Sequence, residues 1–326
     1  MNRRDSVFAI AALGAAPFCA NAQPARKIPV IGYLHPGFPP PATNPSMAGL
    51  REGLRELGYV DGETIRIETR WGLGKPATLP GFAQELVRLK VDALVAVGPP
   101  SVMAAKGATD TLPILALDLE TDPAASGLVT NLARPNGNVT GLFLDLPSLT
   151  GKWLHLIREV VPGMKRVAVL WDVNTGPYQV RPLTAAAKAV GIDLDFLEFR
   201  ASSEIEAAIG ASLKKKPQAL LQLGSPLINQ GAPRIADLLA KNRLPGISPF
   251  RAFADSGGLM SYGPNLPILY RRMAPYISRI LKGAKPADLP VEQPTHYELL
   301  LNRKTATALK LTLSQSMLLR ADEVIQ

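Results

Sequence analysis

Cysteine is nearly absent from this chain of 326 residues: the single one, Cys19, stands close to the start. Once the leader described below is removed, nothing remains to form a disulfide, act as a thiol nucleophile or ligate a metal through sulfur. Histidine is scarce too. His35, His155 and His296 are far apart, with no ligand spacing between any pair, so no metal site is expected. The glycine signatures of nucleotide-handling enzymes are missing. Gly72-x-Gly74-Lys75 follows a strand pattern but lacks the phosphate-loop spacing, and no dinucleotide fingerprint follows the first strand. Nothing resembles a nucleophile elbow, so catalysis and cofactors are not expected. The net charge of +9 comes without a basic stripe interleaved with aromatics. Its one dense run, Lys214 to Lys216, closes a helix pattern, where cations suit the helix dipole. That charge reads as solvated surface, and a nucleic-acid partner is not expected.

What is present is ample material for folded cores. Hydrophobic residues make up 47% and charged residues 19%, which excludes a disordered chain, and the length suits two domains. The first 22 residues read as a signal peptide. Arg3 and Arg4 precede a short apolar run, Val7 to Phe18, and Ala20-Asn21-Ala22 has the small-x-small form that a signal peptidase cuts after. The run is too short to span a membrane. Ala16-Pro17-Phe18 before Cys19 lacks the small residue of a lipoprotein cut, so a soluble periplasmic product is expected over an anchored one. Arg3-Arg4 leaves general secretion and the twin-arginine route both open.

From Ile28 onward the hydrophobic pattern alternates between strand and helix. Strand-like runs at 28–34, 65–71, 93–97, 114–119 and 139–143 alternate with helix-like spacing at 47–57, 79–89 and from about Ser101. Continuous apolar runs such as Ala93 to Val97 are those of a parallel sheet buried on both faces. A second round follows, with helices at 149–161, 182–190, 205–216 and 235–242 between strands at 166–171, 193–199 and 219–223, closed by short strands near 246–248 and 259–262. Then comes a lone helix, 269–281, between turn-like stretches, and a last strand, Glu298 to Asn302. The fold class is therefore α/β: two doubly wound Rossmann-like lobes joined by three hinge crossings. The expected boundaries are 28–142 plus 264–292 for one lobe and 143–263 plus 293–326 for the other.

Several blocks in one order carry a resemblance: Gly257 to Pro264, Leu281 to Pro294, Tyr297 to Asn302, Gly32 to Leu34, Gly53 to Gly62, Ala133 to Gly141, Arg166 to Trp171 and Arg320 to Ile325. Together they resemble the ABC-transporter substrate-binding protein family that includes tryptophan- and tyrosine-binding periplasmic proteins. The resemblance implies the type I periplasmic binding protein plan. It also implies a role delivering a small organic ligand, an amino acid or related acid, to ABC permease subunits of the inner membrane, with the chain acting as a monomer. A ligand-binding sensor, or less readily an enzyme on the same scaffold, remains open as an alternative.

In open α/β lobes, ligands sit outside the carboxyl ends of the strands. That rule selects His35 and Pro36, the turn Gly98-Pro99-Pro100-Ser101, and Glu120 with Asp122 in the first lobe. In the second it selects Asp172, Asn174, Ser225, Phe250 and Arg251. Ser101 opens a helix and is the anion candidate, its hydroxyl and the amides of residues 101–103 donating to a carboxylate, although Pro99 and Pro100 remove two donors. Ser101 also suits a plain N-cap and Asp122-Pro123 a plain turn. Glu120, Asp122 and Asp172 are candidates for a ligand ammonium, Asn174 and Ser225 for neutral hydrogen bonds, and Arg251 for an acid. Tyr33, His35, Trp171, Phe250 and Tyr262 are candidates for a stacking wall, with Trp171 equally suited to interior packing.

Overall fold

A computed structural model describes residues 28–118 and 121–326. The leader expected over residues 1–22, with Cys19, and the candidate Glu120 lie outside the described residues. The first sheet contains β1 (Val30–His35), β2 (Arg66–Trp71), β3 (Ala93–Val97), β4 (Ile114–Asp118) and β5 (Val139–Phe143), in the order β2-β1-β3-β4-β5 and all parallel. Parallel strands need long crossovers, and the helices α1 (Pro45–Glu56), α2 (Leu79–Arg88) and α3 (Pro99–Ala108) supply three of them. Strands β3, β4 and β5 are buried at every position, as their unbroken apolar runs require.

The second sheet has seven strands, ordered β12-β11-β10-β9-β8-β6-β7: β6 (Arg166–Asp172), β7 (Asp193–Phe199), β8 (Ala219–Gln222), β9 (Gly246–Ser248), β10 (Met260–Gly263), β11 (Glu298–Asn302) and β12 (Glu323–Ile325). Only the β10–β11 pairing is antiparallel. Around this sheet lie α4 (Thr150–Val160), α5 (Val180–Ala189), α6 (Ile205–Leu213), α7 (Pro226–Gln230), α8 (Ala232–Lys241) and α9 (Arg251–Asp255). Then come α10 (Leu266–Leu281), α11 (Arg303–Ala308) and α12 (Gln315–Arg320). Helix α7 and the strand β12 have no counterpart in the sequence reading, which treats the stretch after β8 as loop until Ile235.

Helix α10 does not cover the sheet whose strands surround it in sequence. It packs beside α1, on the face of the first sheet that carries Tyr33, Val95 and Leu117. Two glycines one turn apart on α1 permit the approach. A Cβ on Gly49 would stand 2.5 Å from the Pro267 carbonyl oxygen, and one on Gly53 2.7 Å from that of Arg271. Arg271 then reaches Glu52 and Glu56 along the seam. Helix α10 starts at Asn265, whose Oδ1 accepts from Ile268 N at 3.2 Å while its Nδ2 donates to Glu298 of β11 at 2.9 Å. The chain leaving α10 runs beside β5, with Phe143 N donating to Glu292 O and Glu292 N to Gly141 O, both at 2.9 Å.

Candidate ligand-binding site

Strand geometry builds the first wall of a cavity between the two lobes. Residues two apart share a face of a strand, so Tyr33 and His35 point the same way, and their rings lie 6.3 Å apart and 5° from parallel. The β1–β2 register sets Trp71 opposite His35, and the indole packs 5.1 Å from the imidazole and 5.3 Å from the Tyr33 ring. The Tyr33 hydroxyl meets that of Tyr270 on α10 at 3.3 Å, and burial together with that neighbour pushes the Tyr33 phenol well above its ordinary range. Asn44 caps α1 by accepting from Met47 N at 3.0 Å, and the loop before it carries Pro39, Pro40 and Pro41. The second lobe closes the cavity with α7, Phe250 and α9. The cleft holds about 710 Å³, within the range of small-molecule sites.

The lobes meet along the rim of this cavity. Gln230 of α7 accepts from Phe38 N and donates to Phe38 O, both at 2.7 Å, as a side-chain amide pairing with one residue's backbone. Nearby, Ser202 N donates to Gly74 O at 3.1 Å. Gly98 has φ +75, and a Cβ there would stand 2.5 Å from Cγ of Pro226, so the turn after β3 lies directly against the start of α7.

His35 is the most constrained polar group in the cavity wall. Its Nδ1 accepts from Gly37 N at 2.9 Å, which assigns the proton of the neutral ring to Nε2. Burial lowers its pKa from 6.5 to about 3, so the ring is neutral at any physiological pH. Arg251, at the start of α9, donates from Nε to Asp255 at 3.0 Å and from Nη2 to Glu323 at 3.2 Å. Its hydrogen bond with Asp255 chiefly raises its already high pKa.

Of the residues selected from sequence, His35, Phe250 and Arg251 line this cavity, with Tyr33 beside them. Pro36 stands behind it, its carbonyl accepting from Gly74 N at 2.9 Å. Around α3 two of the three amides expected for an anion, those of Ser101 and Val102, are not free. Pro99 and Pro100 occupy the first turn, and the Ser101 and Val102 amides both point at Gly98 O at 3.1 Å. The Ser101 hydroxyl is fully buried without a hydrogen-bond partner. Asp122 folds onto its own turn, accepting from Ala124 N and Ala125 N at 2.9 and 3.0 Å. Asp172, Asn174 and Ser225 bond one another instead of facing the cavity. Ser225 Oγ donates to Asp172 Oδ2 at 2.7 Å, and Asn174 N and Nδ2 donate to Asp172 Oδ1 at 3.0 and 2.7 Å. Burial raises the Asp172 pKa, with those bonds opposing it. Trp171 packs edge-on against Phe196, while Tyr262 pairs with Tyr297 and takes the Trp153 indole on its carbonyl at 2.7 Å. Sequence reasoning missed Trp71, Asn44, Gln230, Asp255 and Tyr270, because it selected residues directly after strands. The N-cap pairs Asn44-Pro45 and Asn265-Leu266-Pro267 are the signals that mark two of the missed helix starts.

Two wound α/β lobes with a ligand-sized cleft between them define a bilobal solute-binding protein of the type I periplasmic binding class. Among the described residues no helix is long and apolar enough to cross a membrane. The chain belongs to the ABC transporter substrate binding protein family, whose sequence model it matches over residues 39–325. It is 28% identical over 288 residues to a tyrosine-binding protein of Clostridioides difficile strain R20291, covering 87% of this chain and 82% of that one. Among solved structures it resembles the Streptococcus pneumoniae ABC domain in complex with L-Trp, with TM-score 0.80, 26% identity, and 91% and 99% of the two chains covered. A conserved domain protein of Vibrio cholerae shares the fold at TM-score 0.83 and 24% identity, over 91% and 100% of the chains.

Proposed function

We propose that this chain is the solute-capturing component of an ABC importer. Exported by the leader at residues 1–22, it works in the periplasm as a monomer. It closes over a small organic molecule, an amino acid or related acid, and delivers it unchanged to permease subunits in the inner membrane. The observation that carries the reading is the cavity of about 710 Å³, walled on one side by Tyr33, His35 and Trp71 and on the other by Phe250 and α9. An aromatic and proline-rich lining with a few polar groups favours a flat or apolar body with a polar end. The tyrosine- and tryptophan-binding relatives support the same size and character of ligand.

In this reading, residues 28–142 with 264–292 move against 143–263 with 293–326, and three crossings serve as hinges. A ligand drives closure only so far as it binds the closed form more tightly. The test is a thermal-shift panel of amino acids, aromatic acids and nucleosides on the purified mature chain, followed by recovery of the compound. A hundredfold excess over Kd stabilises by about 2.7 kcal/mol, which is readily measured. A compound that stabilises and is recovered intact supports capture. Turnover of it refutes binding without chemistry, and a panel with no effect refutes the ligand class.

A further inference from the structure

The hydrogen bonds made inside the protein leave this cavity with several free donors and, among the described residues, no unpaired carboxylate. His35 offers only Nε2–H, because the Gly37 amide occupies Nδ1. Asn44 gives its Oδ1 to the helix cap and retains Nδ2. Asn229 carries Nδ2 as a donor, and its Oδ1 is buried without a hydrogen-bond partner. Gln230 and Asn265 have both amide atoms engaged, with Phe38 and with Ile268 and Glu298. Arg251 has Nε and Nη2 engaged by Asp255 and Glu323, while its Nη1 makes no hydrogen bond closer than a 3.9 Å ion pair with Glu298. Among the described residues Asp255 is the one carboxylate in the lining, and both of its oxygens already accept from Arg251. The acidic side chains that sequence reading put forward for an ammonium and that the structure describes, Asp122 and Asp172, lie outside the lining and are bonded locally.

An α-ammonium group brings three donors and a positive charge and needs acceptors or a carboxylate around it. Among its described residues this lining presents neutral donors and a guanidinium, and its carboxylate is already paired with that guanidinium. Resting on the proposed capture of a small organic acid, we infer that the ligand is a carboxylate without an amino group: an aromatic or otherwise apolar organic acid. Its ring lies against Tyr33, His35 and Trp71, and its oxygens accept from Arg251, the two asparagine amides and His35. Arg251 forms the charge-assisted bond, and the neutral donors satisfy the remaining lone pairs. An amino acid of the same shape enters with its ammonium unmatched, which discriminates more strongly than a missing methylene does.

Matched pairs that differ only in the amino group provide the test: 3-phenylpropanoate against L-phenylalanine, 3-(4-hydroxyphenyl)propanoate against L-tyrosine, and indole-3-propanoate against L-tryptophan. Calorimetry on the mature chain is expected to show the deamino member of at least one pair binding roughly tenfold or more tightly than its partner. Asn44→Asp keeps the cap acceptor while placing a carboxylate in the lining, and it is expected to shift that ratio roughly tenfold toward the amino acid. Equal or tighter binding of the amino acids overturns this inference and leaves the capture function standing. No binding in either series overturns both. An unchanged ratio in Asn44→Asp overturns the assignment of polarity to these donors.

Discussion

The neutral imidazole of His35 makes a prediction about stability that needs no ligand. Burial depresses the ring's pKa from 6.5 to about 3, so below pH 6.5 the unfolded chain takes up a proton that the folded chain refuses. The sign follows directly. The depressed value stabilises the fold fully above pH 6.5, and that contribution is lost as pH falls from 6.5 toward 3. At pH 5 the unfolded ring has gained 1.5 decades of protonation and the folded ring almost none, which amounts to about 2 kcal/mol of lost stability. Asn is the informative replacement, since its Oδ1 can stand where His35 Nδ1 accepts from Gly37 N and it cannot titrate. Urea unfolding of wild type and His35→Asn at pH 7.5 and pH 5.0 gives a double difference in which every other titrating group cancels. Wild type is expected to lose about 2 kcal/mol more than the variant across this interval. A double difference below about 0.5 kcal/mol would show that the folded ring protonates normally, and the fixed Nε2–H assignment would fall with it.

Three further perturbations address the rim, the buried acid and the packing of α10. Gln230→Ala removes both 2.7 Å bonds to Phe38 and should disfavour closure by about 2 kcal/mol. Fluorescence transfer between labels placed on α2 and α8 should report a longer mean separation, and an unaltered distance would show that the rim is held elsewhere. The raised pKa of Asp172 means that folding favours its protonated form, so its stabilising effect is full in acid and disappears as pH climbs above its ordinary 3.8. The melting temperature of Asp172→Asn should therefore rise relative to wild type between pH 3.5 and 7, and a difference that stays flat contradicts the assignment. Gly53→Val drives a branched side chain into the Arg271 carbonyl and should destabilise by roughly 2–4 kcal/mol in denaturant titration. A midpoint that matches wild type would contradict the close α1–α10 packing.

The lobes were legible in the sequence because burial on both faces of a parallel strand leaves a run of apolar residues that little else produces. Ala93–Val97 and Val139–Phe143 have their expected bounds. Short helices left less trace. Pro226–Gln230 is a single turn and a half, too short for a helical period, and its start is marked only by Ser225 capping Leu227 N at 3.1 Å. That omission removed Asn229 and Gln230 from the candidate site. Proline at the first positions of α1, α3, α8 and α10 shifted expected starts inward, since proline reads as a breaker although it is well suited to a first helical turn.

The site was harder to read for a reason that also explains its polarity. Sequence identifies which side chains carry donors and acceptors, but not which atoms local folding has already occupied. Asp172 reads as a ligand for a cation until Ser225 and Asn174 are seen to fill its oxygens, and Ser101 reads as an anion site until Gly98 O is seen to hold its amide. Caps and tight turns draw on side-chain acceptors, because the groups they must satisfy are the unpaired N–H donors of helix starts and loops. At the carboxyl edge of a parallel sheet those starts gather around the cleft. Asn44, Asn265 and His35 each satisfy a backbone N–H there. Unless further carboxylates are added, the same folding chemistry that builds such a rim leaves its side chains rich in donors, and so biases the cleft toward ligands that accept.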